Sequence, residues 1–105
     1  MSNREKALVI GAGFGGLSAA LVLALRGFDV SVFDAAEETG GKAGTVTVDG
    51  VTLDTGPSLM TLPQVAQHLF ALAGERMDER LTLRAVDPAF RYHYADGTAL
   101  DIYHR

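Results

Sequence analysis

The chain contains no cysteine, no cluster of basic residues and no concentrated set of metal-binding side chains. Without cysteine, a disulfide framework and a thiolate metal site are both excluded. The net charge of −4 gives no reason to expect a nucleic-acid ligand. His68, His93 and His104 are scattered without metal-ligand spacing, and we predict no metal site. No paired carboxylates and no nucleophile with a base identify a catalytic group. We expect a cytoplasmic globular protein, and its 105 residues allow one small domain or a piece of a larger one.

What the sequence does contain is a glycine-rich turn between two apolar segments near its start. Residues 7–10 form an apolar run that is typical of a buried strand, and residues 17–25 form an uncharged helical run. Between them, Gly11, Gly13 and Gly16 satisfy the pattern G-x-G-x-x-G. In this strand–turn–helix context, the first glycine allows the tight turn, the second a close approach to a pyrophosphate, and the third close packing of helix on strand. We therefore predict a dinucleotide-binding turn.

A membrane segment or a signal peptide is the alternative interpretation of the same stretch. Nineteen residues, from 7 to 25, carry no charge, which is the length of a membrane span. Arg4 and Lys6 resemble the basic start of a signal peptide. Four glycines within six residues disfavour a continuous helix, because each costs about 1 kcal/mol in a helix interior. The motif spacing favours the nucleotide turn.

An acidic residue follows the next predicted strand. Gly27 is placed to end the first helix, and residues 29–33 are rich in β-branched side chains, as in a second strand. Asp34 comes directly after that strand, eighteen residues beyond Gly16. At this place an acid accepts hydrogen bonds from the ribose hydroxyls of an adenosine. Its charge also disfavours the 2′-phosphate of NADP.

The segment after Asp34 bears on which cofactor is bound. Only five residues separate Asp34 from a second glycine pair, Gly40 and Gly41, and a parallel crossover needs about a dozen. The pair therefore indicates a second close approach of the backbone to the same ligand, with Lys42 near its phosphates. A flexible loop with a chance basic residue is the alternative.

Residues 9–45 resemble the dinucleotide fingerprint of FAD-dependent amine oxidases and carotenoid desaturases. In that superfamily an acid ends the second strand, and a G-G-R-x-x-S/T segment follows after five residues; here the positions are Asp34 and residues 40–45. Residues 51–58 and 86–92 are similar to the bacterial phytoene-desaturase branch. Asp34 replaces the usual Glu, Lys42 the usual Arg, and Ala36 a basic residue of many relatives. The resemblance implies FAD as cofactor and assigns its binding to Gly11, Ala12, Gly13, Phe14, Gly15, Gly16, Asp34, Ala35, Gly41, Lys42, Gly56, Pro57 and Ser58.

The later segments predict hairpins and one helix. Alternating residues flank Asp49-Gly50 and Asp96-Gly97, which are two-residue hairpin signals. Pro63 suits the first turn of a helix that continues to about residue 73. Residues 75–80 form a charged, solvated connector, and residues 81–86 alternate as a strand.

These patterns together predict an α/β fold, namely the N-terminal βαβ unit of a Rossmann-like FAD-binding domain followed by hairpins and a helix. Residues 7–10 are apolar on both faces, as in a central parallel strand, yet the sequence supplies a partner on one side only. We therefore expect an incomplete domain: residues 1–58 bind the cofactor, and residues 59–105 lead into a substrate domain that the sequence does not contain.

The resemblance implies a flavin-dependent oxidoreductase, a phytoene-type desaturase acting on a hydrophobic polyene. A fragment of a related amine oxidase or porphyrinogen oxidase, or a non-catalytic nucleotide-binding remnant, stays open. Peripheral contact with a membrane also stays open, as do the electron acceptor and the oligomeric state. We expect no turnover by this short chain alone.

Overall fold

Two parallel strands joined by a helix open the fold. The computed structural model describes residues 3–103, and His104 lies outside them. Strand β1 (Lys6–Ile10) leads into helix α1 (Phe14–Leu25), and β2 (Asp29–Phe33) returns parallel to β1. The register pairs Lys6 with Asp29 at one end and Ile10 with Phe33 at the other. The predicted βαβ unit is confirmed. The uncharged run of nineteen residues is therefore divided between a strand, a turn and a helix.

Helix α1 ends as its sequence predicts. The N–H of Gly27 donates to the carbonyl of Ala24 at 3.0 Å, and the N–H of Phe28 donates to Leu23 at 3.2 Å. This backward pair of hydrogen bonds satisfies carbonyls in the last turn and reverses the chain. The reversal brings β2 alongside β1 after only three residues.

Both predicted hairpins are present. Strands β3 (Thr45–Val48) and β4 (Val51–Asp54) pair antiparallel, as do β5 (Phe90–His93) and β6 (Ala99–Ile102). In the first hairpin Asp49 and Gly50 both have positive φ, 49° and 79°. Two successive positive φ values give a turn whose twist matches that of the strands, which explains the Asp-Gly pair.

The region between the hairpins contains helix α2 (Pro63–Leu72) and a single turn of 3-10 helix (Met77–Glu79). Pro63 occupies the first turn of α2, as predicted. The 3-10 turn lies in the segment predicted to be a solvated connector. Its charged neighbours are exposed, but Met77 is only 5% exposed. No sequence pattern predicted the burial of this methionine.

The prediction of a strand at residues 81–86 is wrong. The structure has no strand there, and the N–H of Leu81 instead donates to the carbonyl of Met77 at 2.8 Å, four residues back, which closes a turn after the 3-10 helix. Alternation marks a segment that fits a pleated, half-buried surface, but a strand also requires a neighbour with which to exchange hydrogen bonds. None of the described residues pairs with this segment.

Little of the described chain is buried. Ala12 and Met77 are its only buried hydrophobic residues, whereas Leu8 is 69% and Ile10 81% exposed. Each sheet has two strands. The radius of gyration is 18.7 Å, against about 13 Å for a compact chain of this length. The prediction of an incomplete α/β domain is confirmed. No helix among residues 3–103 is long and apolar enough to cross a membrane.

Candidate functional site

The glycine turn presents free backbone donors at the start of α1. Gly13 caps the helix in an extended conformation, without a side-chain hydrogen bond. The N–H groups of Phe14, Gly15 and Gly16 therefore lack the partners that residues deeper in a helix have. Free donors and the positive end of the helix dipole favour an anion such as a phosphate.

Gly16 lies where the turn folds back on itself. A Cβ atom at Gly16 would overlap the carbonyl oxygen of Gly11 and lie 3.5 Å from Cγ1 of Val9. The missing side chain therefore lets α1 pack close to the end of β1. Gly15 faces open space, with nothing within 4 Å of a Cβ placed there.

The second glycine segment packs directly against the first. The N–H of Gly40 donates to the carbonyl of Ala12 at 2.8 Å, and Gly13 and Gly40 form an isolated parallel bridge. A Cβ atom at Gly41, where φ is +60°, would lie 3.0 Å from Cα of Gly13. We call residues 11–16 and 40–43 together the cradle.

Asp34 connects the end of β2 to the cradle. Its Oδ2 accepts a hydrogen bond from the N–H of Ala12 at 2.6 Å, and its Oδ1 accepts one from the N–H of Ala36 at 2.8 Å. These donors, Ala12 first, hold the pKa of the Asp34 carboxyl below its usual value. The side chain is therefore ionised at neutral pH. The backbone of Ala35, the next residue in the chain, lowers this pKa in the same direction and to the smallest extent.

A cavity of about 370 Å³ opens over the cradle. Five residues predicted to bind the cofactor line it, and Gly40 and Ala43 line it as well. These two belong to the predicted glycine segment but were not among the individual residues predicted to bind the cofactor. The positive φ that Gly40 adopts, and the carbonyl of Ala43 only 2.8 Å from a Cβ placed there, are properties of the folded backbone. The lining residues are Gly13, Phe14, Gly40, Gly41, Lys42, Ala43 and Pro57.

The segment after the first hairpin closes one side of the cradle. A Cβ atom at Gly56 would overlap the carbonyl oxygen of Lys42, and glycine therefore allows the two backbones to touch. Pro57 reaches the cavity, but Ser58 does not. Ser58 lines a neighbouring groove of about 640 Å³, together with Leu59, Met60, Leu83, Val86 and Phe90 among others.

Within residues 3–103 the structure shows no group of three or more acidic or histidine side chains arranged for a metal ion. The histidines among them do not approach the cavity. The site therefore offers backbone donors, one ionised carboxylate and the ammonium of Lys42. Backbone donors and a lysine ammonium suit the phosphates of a nucleotide. None of the groups at the site is a nucleophile paired with a base.

Comparison with known proteins agrees with this geometry. A model of the NAD(P)-binding Rossmann-like domain family matches residues 9–75, which include the whole cradle. The chain belongs to this family.

Two sequence relatives and one solved structure extend the comparison of this Rossmann-like domain. It is 40% identical to the 4,4′-diapolycopene oxygenase of a Methylomonas species, over 96% of this chain and 20% of that protein. It is 43% identical to the zeta-carotene-forming phytoene desaturase of Myxococcus xanthus, over 88% of this chain and 18% of that protein. The structure of a putrescine oxidase with bound putrescine matches 93% of this chain and 21% of its own, with TM-score 0.63 and 28% identity.

The predicted resemblance to the amine oxidase and carotenoid desaturase superfamily is confirmed. The chain spans about a fifth of the length of the relatives that it matches. The family and the oxidase neighbour indicate a nucleotide cofactor for the Rossmann-like domain.

Proposed function

We propose that this Rossmann-like domain binds the FAD of a flavin-dependent oxidoreductase of the phytoene desaturase type. The observation that carries the proposal is the cradle, in which two glycine segments meet beneath one cavity and the first residue of α1, Phe14, lines that cavity. The short link between Asp34 and Gly40 supports a flavin dinucleotide, because the crossover of a nicotinamide-binding half does not fit there.

The residues present fit such a cofactor. Because Gly13 and Gly41 lack side chains, their backbones meet at the cavity wall, and a Cβ atom at Gly41 would lie 3.0 Å from Cα of Gly13. The donors at residues 14–16 would hold the diphosphate, and Lys42 would add positive charge beside it. Asp34 and Ala35 would lie beside the ribose of the adenosine, at the end of β2. Residues 56–58 would lie toward the flavin end, as the resemblance implies.

A bound flavin would supply two-electron oxidation, and the protein would contribute orientation, electrostatics and exclusion of water. The cradle would orient the cofactor by holding its diphosphate with backbone peptide groups. Because the described residues hold no acid–base pair beside the cavity, this domain would contribute binding and orientation.

An apolar groove supports a hydrophobic substrate. It begins at Ser58, the residue next to Pro57 of the cofactor cavity, so one peptide segment lines both spaces. Leu59, Met60 and Phe90 give the groove a largely hydrocarbon lining, which is interrupted by the polar side chains of Ser58, Thr61, Gln67, Thr82 and Arg84. A polyene from carotenoid metabolism suits this surface better than a charged metabolite. The names of the relatives, which include a phytoene desaturase and a diapolycopene oxygenase, support the same class.

An amine oxidase is the second candidate, because the Rossmann-like domain superposes on a putrescine oxidase. That match has 28% identity, against 43% for the phytoene desaturase. Assaying the complete gene product with phytoene and with putrescine separates the two. Oxidation of putrescine alone would replace the desaturase proposal.

Cofactor loading of the purified complete gene product tests the proposal. We expect flavin absorbance in a ratio of one FAD per chain, and loss of that absorbance in Gly13→Val, whose side chain would face the diphosphate. If the protein is instead a non-catalytic nucleotide-binding remnant, it should bind an adenine nucleotide but oxidise no substrate with a flavin. Absence of flavin in the wild-type protein, or equal loading of Gly13→Val, would contradict the proposal.

A further inference from the structure

Ala12 is the buried centre of the site. It is 3% exposed, and both its backbone N–H and its backbone carbonyl are hydrogen-bonded within the protein. Its carbonyl accepts from the N–H of Gly40, and its N–H donates to the carboxylate of Asp34. One small residue thus connects the first glycine turn with the second glycine segment and with the end of β2.

Both carboxylate oxygens of Asp34 are engaged by backbone donors. Its two oxygens accept from Ala12 at 2.6 Å and from Ala36 at 2.8 Å. Hydrogen bonds to an ionised acceptor are about twice as strong as neutral ones. On the same side, the N–H of Gly11 donates to the carbonyl of Phe33 at 2.7 Å. Two hydrogen bonds within the protein therefore join the glycine turn to the end of β2.

We propose that Asp34 is a positioning residue, which holds Ala12 and thereby the cradle in its diphosphate-binding shape, with the ribose hydroxyls as its lesser partners. The proposal rests on the proposed function, since it assumes that the cradle takes a nucleotide diphosphate. It also gives the short side chain a role. A glutamate is longer by one methylene, about 1.5 Å, and would extend past the N–H of Ala12 toward the ribose.

The electrostatics agree with this role. The hydrogen bonds from Ala12 and Ala36 keep the pKa of Asp34 below its usual value, so its folded-state pKa is depressed. The stabilisation is then fully present above the ordinary pKa of 3.8 and is lost only as the pH falls through the lower folded value. The hydrogen bond from the N–H of Ala12 to the carboxylate of Asp34, which we call the clamp, is therefore intact at every pH near neutrality.

Two ADP analogues separate positioning from ribose binding. Affinities of the complete gene product for ADP and for 2′,3′-dideoxy-ADP are measured by calorimetry in four proteins: wild type, Asp34→Ala, Asp34→Glu, and Glu37→Ala as a control acid in the same loop. In wild type we expect the two ligands to bind within about threefold of each other, because backbone donors already engage both oxygens of the carboxylate and the hydroxyls add little. Asp34→Ala weakens both by the same factor, about tenfold, as for loss of a charged hydrogen bond. Glu37→Ala changes neither.

The glutamate variant gives the sharpest contrast. Asp34→Glu loses the fit to Ala12 but reaches the ribose, so the preference for ADP over the dideoxy analogue rises to about tenfold. A wild-type preference of that size that disappears in Asp34→Ala would instead make Asp34 a ribose ligand and overturn the proposal.

Amide hydrogen exchange without nucleotide tests the clamp independently of binding. The amide of Ala12 is expected to be protected in wild type and to exchange at least about tenfold faster in Asp34→Ala, as loss of a charged hydrogen bond predicts. The amide of Phe28, bonded to Leu23, reports whether the βαβ unit stays folded and should not change. Unchanged exchange at Ala12 would overturn the proposal. If wild type binds neither ADP nor FAD, the proposed function falls, and this exchange measurement alone decides whether the clamp exists.

Discussion

The cradle and the region from residue 59 to residue 103 are built in different ways. In the cradle, hydrogen bonds join segments that are distant in sequence, such as Ala12 and Asp34, 22 positions apart. Beyond residue 59, the hairpin and helices close on near neighbours, as when Leu81 donates to Met77. The cradle is therefore assembled by hydrogen bonds between distant segments, whereas the hydrogen bonds of the later region stay within its hairpin and helices and leave apolar side chains exposed.

The glycines show the same difference. In the cradle a Cβ atom at Gly16 or Gly41 would meet backbone atoms, whereas at Gly74 or Gly97 it would meet nothing within 4 Å. At Gly16 and Gly41 glycine is required by the close approach of two backbones, and at Gly74 and Gly97 by the turn conformation alone. Substitutions at matched glycines test this distinction.

The largest effect is expected for Gly16→Ala. Its methyl group would overlap the carbonyl oxygen of Gly11 and displace α1 from the turn, so FAD affinity should fall about a hundredfold, at the upper end for overpacking. Gly15→Ala is the matched variant, because it keeps the N–H and faces open space. Titration of the apoprotein with FAD measures both. Equal losses would contradict the close-packing account.

A smaller effect is expected for Gly41→Ala, compared with Gly50→Ala. Both positions have positive φ, so alanine costs each about 1–2 kcal/mol in the free energy of unfolding. Only Gly41 lies against Gly13, and we expect only its variant to weaken FAD binding, by about tenfold. Denaturant unfolding and FAD titration separate strain from contact. Weakened binding in Gly50→Ala would remove the distinction between cradle and hairpin.

The next effect in size is expected when the ribose of the ligand carries a 2′-phosphate, which should reduce the affinity of the protein for the nucleotide. The ionised Asp34 repels a second anion, so 2′-phospho-ADP should bind about tenfold or more weakly than ADP. In Asp34→Asn, which lacks the charge, the ratio between the two ligands should narrow. Calorimetric titrations at neutral pH measure the ratio. A preference for the phosphorylated ligand would show that the carboxylate does not face the ribose.

The smallest effect is expected at the last hairpin. Arg91 and Asp101 form a paired contact at 2.6 and 2.7 Å, but both groups are accessible to solvent. Arg91→Ala should leave FAD affinity unchanged and lower Tm slightly at low salt, with no difference at high salt because exposed pairs are screened. Thermal melts at two salt concentrations test this. A loss of FAD affinity would show that the two regions are coupled.

The parts of the fold with short-range signals could be predicted from sequence. The glycine turn, the Gly27 end of α1, and the Asp-Gly hairpins each depend on residues within a few positions. Residues 81–86 illustrate the limit, since their alternation is genuine but a strand forms only where a neighbour supplies hydrogen bonds. The burial of Met77 was missed for a related reason, because it depends on tertiary packing rather than on the charged residues around it.

The same limit applied to the candidate site. The spacing from Gly16 to Asp34 placed an acid beside the glycine turn, but not the hydrogen bond that Asp34 accepts from Ala12. The contacts of Gly40 with Ala12 and of Gly56 with Lys42 depend on how three loops converge. Such contacts are properties of the folded backbone, and no pattern of residue types encodes them directly.

We expect peptide groups at the start of α1 to hold the diphosphate of an adenine nucleotide. The most direct measurement is the change in amide chemical shifts of the complete gene product on titration with ADP. We expect the largest changes at Phe14, Gly15 and Gly16, with the amides of β5 and β6 unmoved. Saturable binding that leaves the amides of residues 14–16 unchanged would contradict the account.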